Sequence, residues 1–182
     1  MGKTIVLGDL LKRTSFMFGK TQRQVSKEMN YATSTVNGHF KNYPINADTA
    51  VAYADIFNSS ELNLVTANKL LKVFGILNGS RFKKDPLSLS VIQKREQRQR
   101  EKVEFDCEID CILAEHSTDL TEKQIEYVMT HLMESMDEIL CEISRACSEA
   151  ELINLSLMDL ITMKEPEWIE KQWITPATQK GE

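Results

Sequence analysis

The chain has little glycine, seven residues in 182, and none of it builds the Gly-rich loop that cradles a phosphate. It lacks an HExxH pair and a nucleophile elbow as well, so neither zinc-protease nor serine-hydrolase chemistry has a footing. No enzymatic activity and no cofactor is implied. No run of 18 apolar residues is present to span a bilayer. The opening stretch MGKTIVLGDLLKRTSF is too short in apolar residues, and too broken by Asp9 and Lys12, to act as a secretory signal. These absences predict a cytoplasmic protein without membrane contact. Internal repeats and low-complexity segments are missing too. With 42% hydrophobic and 7% aromatic residues, the composition is that of an ordinary globular chain of one or two domains.

Cysteine is sparse: Cys107, Cys111, Cys141 and Cys147 all lie in helix-like sequence of the second half. Without a secretory signal they stay reduced. A zinc site needs four converging ligands, and these pairs are separated by three and five residues with no Gly-rich turn. His39, His116 and His131 are too scattered to complete one. The thiols therefore read as small hydrophobes, and no metal site is assigned.

What the chain does have is a division of charge. Residues 1–85 hold 12 Lys and Arg against 6 Asp and Glu, net +6, while residues 86–182 hold 10 against 21, net −11. A basic half suits contact with nucleic acid, because neutralising phosphates supplies most sequence-independent affinity.

The periodicity predicts an all-α fold, with several short helices first and a few long ones after. Gly79, Pro86 and three serines place a linker at residues 78–90, NGSRFKKDPLSLS, between domains at 1–77 and 91–182. In the front domain, Leu7, Leu10 and Leu11 mark a first helix that ends near Phe18-Gly19. Thr21 with Gln24 forms a capping box for a second helix running to about Met29, and Asn30 can take the left-handed conformation of a tight corner. A third helix runs from Thr33 to about Lys41, with Val36 and Phe40 on one face, and Pro44 closes it off. Asn46 caps a fourth helix with a stripe at Ala50, Tyr53, Ala54 and Phe57. Ser60 caps a fifth through Leu64, Ala67, Leu70, Leu71 and Phe74. Five helices in about 75 residues leave no place for a sheet.

In the second half, residues 91–116 read as one long helix with a stripe at Val103, Cys107, Cys111 and Leu113. Its segment KREQRQREK, residues 94–102, is charged almost all round, and Glu96 and Glu101 favour a solvated linker helix over a basic DNA-tracking one. Thr121 with Gln124 starts another helix. In it Ile125, Val128, Leu132, Met136, Ile139, Ile143 and Cys147 step by threes and fours, the spacing of a coiled-coil or oligomerisation seam. Ser148 with Glu151 reads as a further capping box, for a helix carrying Leu152, Leu155, Met158, Leu160 and Ile161. The tail after Pro166 is expected to dock by Trp168 and Trp173.

Helix, tight corner and helix, over residues 20–42, is a geometry that presents a second helix to the DNA major groove. Ser26 is small where the two helices must approach. Val25, Met29, Val36 and Phe40 supply the inward face, which leaves Thr33, Ser34, Asn37 and Lys41 outward.

These residues, with Thr21-Gln22 and the Ile45-Asn46-Ala47 start of an alanine-rich helix, make residues 5–75 resemble the helix-turn-helix domain of the lambda repressor (Cro/XRE-type) family. The resemblance implies a five-helix DNA-binding domain and double-stranded DNA, a palindromic operator, as partner. By it, Gln22 braces the phosphate backbone and orients the head of the recognition helix. Thr33 and Ser34 reach bases, Thr35 a phosphate or a base methyl, and Asn37 a further base edge; Lys41, Asn42 and Asn46 hold the backbone beyond. Lys20, Arg23 and Lys27 add charge on the approach surface. Two departures stand out: Thr33 is shorter than the glutamine often found there, and Gly38 lowers helix stability by about 1 kcal/mol relative to alanine.

Larger members of that family often end in a β-rich self-cleaving domain, which the helical second half does not resemble. Two functional classes remain. One is a sequence-specific transcription regulator, a repressor of phage, plasmid or mobile-element type. It would bind as a homodimer or higher oligomer through Ile125, Val128, Leu132, Met136, Ile139 and Ile143, and could answer to an inducer or antirepressor protein. The other is an interaction or inhibitor protein, antitoxin-like or anti-CRISPR-like, whose acidic helical domain carries the activity while the front autoregulates its promoter.

Overall fold

The computed structural model describes residues 3–77, 79, 83–114 and 120–175. In chain order its elements are β1 (Thr4–Ile5), α1 (Gly8–Met17), α2 (Gln22–Glu28), α3 (Thr33–Phe40), β2 (Ile45–Asn46), α4 (Ala47–Phe57), α5 (Ser60–Leu71), α6 (Pro86–Asp106), α7 (Ile109–Leu113), α8 (Glu122–Leu152) and α9 (Leu157–Glu170). Among the described residues the protein is all-α apart from one short ladder. The expectation of no sheet is corrected there: β1 and β2 pair antiparallel, Thr4 with Asn46 and Ile5 with Ile45. Pro44 holds the chain after α3 extended, and the β-branched Ile5 and Ile45 turn inward and are buried. No described helix is long and apolar enough to cross a membrane.

The chain divides into two compact units, one formed by residues up to Lys72 together with those from Ala150 onward, the other by Val73–Glu149. The boundary therefore differs from a single linker at 78–90. Helix α6 already begins at Pro86, where Asp85 accepts the Ser88 N–H at 2.9 Å and proline occupies the first turn. The last helix belongs with the front unit because its first turn is bonded there: Leu157 N–H donates to Ser60 Oγ at 2.8 Å and Asn58 Nδ2 to Asp159 at 2.9 Å.

The core of the first unit gathers Leu7, Leu10 and Leu11 of the first helical segment, Val25, Val36, Phe40, Ile45, Ala50, Tyr53, Phe57 and Leu62. Burying side chains of this size contributes roughly 1.5–3 kcal/mol each. Local signals set most helix ends. Thr21 and Gln24 form the capping box of α2, Asn30 is left-handed at φ 53°, and Asn46 accepts the Thr49 N–H at 2.8 Å. Helix α5 is capped by Ser59 rather than Ser60, because Asn58 already leaves α4 left-handed and the chain is extended one residue sooner. It buries Leu62 and Thr66, and it stops at Leu71, so Phe74 lies beyond it.

In the second unit the single long helix expected over 91–116 is broken. Glu108 is left-handed, and the change of direction lets α7 bury Ile109 and Ile112 while Cys111 and Leu113 stay exposed. His116 lies outside the described residues. The charged segment is not simply solvated either: Glu96 is buried and Arg100 pairs with Glu138 of α8. Helix α8 begins at the Thr121–Gln124 box as expected but runs through Ser148, whose hydroxyl donates to Lys84 O at 2.7 Å. Buried Cys147 and Ala150 keep that turn helical, and the break falls at Asn154, followed by a Ser156–Asp159 capping box. Helix α9 continues through Pro166 with Trp168 half-buried. Trp173 does not dock; it is exposed, with the Lys171 ammonium 4.8 Å above its ring.

Two glycines separate packing from conformation. A Cβ on Gly8 meets Asn42 Oδ1 at 2.4 Å, Asn42 N at 2.6 Å and His39 O at 2.7 Å, whereas one on Gly38 meets the exposed Tyr43 ring at 2.9 Å. Backbone atoms cannot step aside, but a surface ring can rotate. Gly8→Ala is therefore expected to destabilise the front unit by about 2–3 kcal/mol. For Gly38→Ala the helix-propensity gain offsets the displaced ring, and stability stays within about 1 kcal/mol of wild type. Urea unfolding of the two variants measures the contrast.

Candidate nucleic-acid interface

Helices α2 and α3 are joined by a corner closed by local backbone bonds. Tyr31 N–H donates to Ser26 O at 3.0 Å and Asn30 N–H to Lys27 O at 3.2 Å. Ser26 is buried where α2 meets α3, and its hydroxyl lies 3.1 Å from Thr33 Oγ1. Val25 on α2, with Val36 and Phe40 on α3, is buried and Met29 packs against the same core. Helical spacing then forces Thr33, Ser34 and Thr35 outward, and all three are exposed, with Asn37 half-buried one turn on. Unlike α2, α4 and α5, whose caps bond back, α3 starts on Ala32 with no side-chain cap. Thr35 N–H turns back to Ala32 O at 3.0 Å, and the positive end of the helix dipole lies at this turn.

The cations around this row differ in availability. Lys20 is engaged: it pairs with Glu28 at 2.6 Å, donates to Ile56 O at 3.1 Å and lies over the Phe57 ring. Arg23, Lys27 and Lys41 are exposed and, among the described residues, take part in no ion pair. Three exposed positive charges, two on α2 and one at the end of α3, thus accompany an uncharged row of hydroxyl and amide groups. Charges placed this way suit phosphates, and the row suits base edges.

The other expected contact residues divide. Gln22 opens α2, half-buried beside Lys12, Gly19 and Phe40. Ser26 gives its own proton to Arg23 O, so Thr33 donates to Ser26 and keeps its methyl and its oxygen lone pairs, but no donor, for a ligand. Asn42 is left-handed at φ 68° and its Oδ1 accepts the Asp9 N–H at 3.2 Å, tying the end of α3 to the start of α1. Asn46 caps α4. Each of these asparagines keeps its NH₂ as the group it could offer a phosphate. Sequence reasoning missed Tyr43, exposed against Gly38 at the end of α3, and Gly8, which sets how closely α1 and α3 meet. No local pattern pairs position 8 with position 42.

On α8, Ile125, Leu132 and Met136 are exposed, while Val128, Ile139 and Ile143 are half-buried. The metal-like group among the described residues is Glu96, Glu134 and Asp137, with oxygens within 4.8 Å of one another. Arg95 already binds Glu96 at 2.5 and 2.9 Å and balances part of that charge. A cavity of about 340 Å³ lies between the end of α1, the α4–α5 corner and the start of α9. Its Asn58, Ser156 and Asp159 bond to one another, so it works as a joint between elements.

The back of α3 is held by His39, whose Nδ1 lies 2.9 Å from Tyr53 Oη. Burial pushes the His39 pKa below its usual 6.5, and burial with the nearby Tyr31 pushes that of Tyr53 well up. The shifts favour the neutral form of both groups in this hydrogen bond. A histidine that protonates less readily when folded adds stability above pH 6.5, and that stability is lost as pH falls from 6.5 through the folded value. Between pH 7 and pH 5 the urea midpoint of the wild type should drop further than that of His39→Gln; parallel drops would show that His39 is not the group responsible.

Comparison of the chain with family models, with curated proteins and with solved structures finds no match in any of the three.

Proposed function

We propose that the chain is a sequence-specific DNA-binding transcription regulator, a repressor of phage, plasmid or mobile-element type, whose front unit is lambda-repressor-like. It reads double-stranded DNA with α3 and acts on a palindromic operator as a dimer or higher oligomer. The observation that carries this reading is the outward row Ser34, Thr35 and Asn37, accompanied by the exposed Arg23, Lys27 and Lys41 and backed by a buried apolar face. Ser34 and Asn37 read base edges and the cations take phosphates. Asn42 and Asn46 serve the fold first and the backbone second.

The roles separate by measurement. With operator DNA selected from random sequence or taken from the promoter upstream of the chain's own gene, Ser34→Ala with Asn37→Ala should lower the ratio of specific to non-specific affinity, by about 1–3 kcal/mol per lost base contact. Lys41→Ala should weaken binding to every sequence alike and reduce the salt slope by about one. If the double variant lost affinity equally on all sequences, the reading face would lie elsewhere. If the wild type bound no DNA at low salt, the function itself would fall.

A further inference from the structure

The outer surface of α3 carries an aromatic ring that belongs to a residue beyond the helix. At 3.6 residues per turn, Gly38 stands two residues from buried Val36 and two from buried Phe40, so a side chain there would point about 160° away from each. That direction is the outward one, shared with Ser34 and Thr35 a turn before and Lys41 a turn after, all exposed. Gly38 is nonetheless buried. The three atoms nearest to a Cβ placed on it all belong to the ring of Tyr43, at 2.9, 3.5 and 3.6 Å.

The local backbone fixes the ring in that place. Asn42 turns left-handed, its N–H donates to His39 O at 3.1 Å, and the Tyr43 N–H returns to Gly38 O at 3.0 Å, the paired bonds of a Schellman cap. In such a cap the last residue commonly covers an apolar side chain one turn back. Gly38 offers none, so the ring covers backbone instead and stays 63% exposed. A glycine at this position weakens the helix and leaves the cap without its usual apolar contact. What it permits is a ring lying across the middle of the outward row.

Around that ring stand the hydroxyls of Ser34 and Thr35, the Asn37 amide and the Lys41 ammonium, so it is the large apolar group of the row. The apolar group that a base pair presents in the major groove is the thymine 5-methyl. We infer that Tyr43 is a specificity-determining residue whose ring, seated over Gly38, packs against the 5-methyl group of a thymine in the operator. This rests on the reading of α3 as the DNA-contacting helix, and deepens it by naming a base and the side chain that selects it.

Replacing single thymines of an operator by deoxyuridine removes only their methyl groups. With the full chain and an operator selected from random sequence, one such replacement should lower wild-type affinity about fourfold, the loss of one buried methyl. Tyr43→Phe should keep that ratio, whereas Tyr43→Ala should bind thymine and deoxyuridine at that position equally. Tyr43→Gln, whose stem still covers Gly38, takes the place of Tyr43→Ala if the latter loses wild-type helicity by circular dichroism. A ring with a capping role alone would change stability without changing this ratio. A wild type that binds the operator but is indifferent to deoxyuridine at every thymine would overturn the inference and leave the DNA-binding reading standing. So would ring-free variants that keep the wild-type ratio at every position. Equal weakening of all DNA by Tyr43→Phe would put the hydroxyl on a phosphate and overturn it too. Failure of the wild type to bind any DNA at low salt would remove the functional reading itself, and this inference with it.

Discussion

The outer surface of α3 depends on how closely its end can approach the start of α1. That approach is made at Gly8, whose backbone lies so near Asn42 N and His39 O that no side chain fits between them. Asn42 completes the contact from the other side, turning left-handed to end α3 while its carbonyl oxygen takes the Asp9 N–H. A helix of eight residues is too short to persist alone, since nucleation costs more than two turns return. Its orientation is therefore inherited from this junction, from buried Val36 and Phe40, and from the His39–Tyr53 bond. Moving any of them moves Ser34 and Asn37 together.

This dependence explains which parts could be read from the sequence. The Thr21–Gln24 box, the Asn30 corner and the Asn46 cap involve residues at most three apart, and their chemistry is the same wherever the chain places them. The inward set Val25, Val36 and Phe40 was legible for a similar reason, since periodicity is local. The Gly8–Asn42 contact, the ladder of Ile5 with Ile45, and the bond from Leu157 to Ser60 join distant positions, and nothing in either segment announces the other. Gly38 looks like a defect in a helix until Tyr43 is seen lying across it.

Some local signals were present and overridden. Ser148 with Glu151 has the form of a capping box, yet Cys147 and Ala150 are buried, and interrupting the helix there would expose them. Burial won over a cap worth about 1 kcal/mol. Glu108 shows the reverse case. A glutamate is an unusual left-handed residue, and the turn it makes is offset by the burial of Ile109 and Ile112 behind it. Periodicity alone also could not divide α8, because a stripe in threes and fours looks alike whether it faces a neighbouring helix or water. The half-buried Val128, Ile139 and Ile143 and the exposed Ile125, Leu132 and Met136 were one stripe in sequence.

The acidity of the second half then takes on a use that its total does not reveal. Residues 103–182 carry 5 Lys and Arg against 19 Asp and Glu. Spread charge of one sign disfavours acidic partners for the exposed apolar stripe of α8. It also keeps that stripe away from phosphates. On the proposed reading the two halves are separated by sign: the exposed cations Arg23, Lys27 and Lys41 draw the nucleic acid to the front unit, and the carboxylates of the second half turn it away.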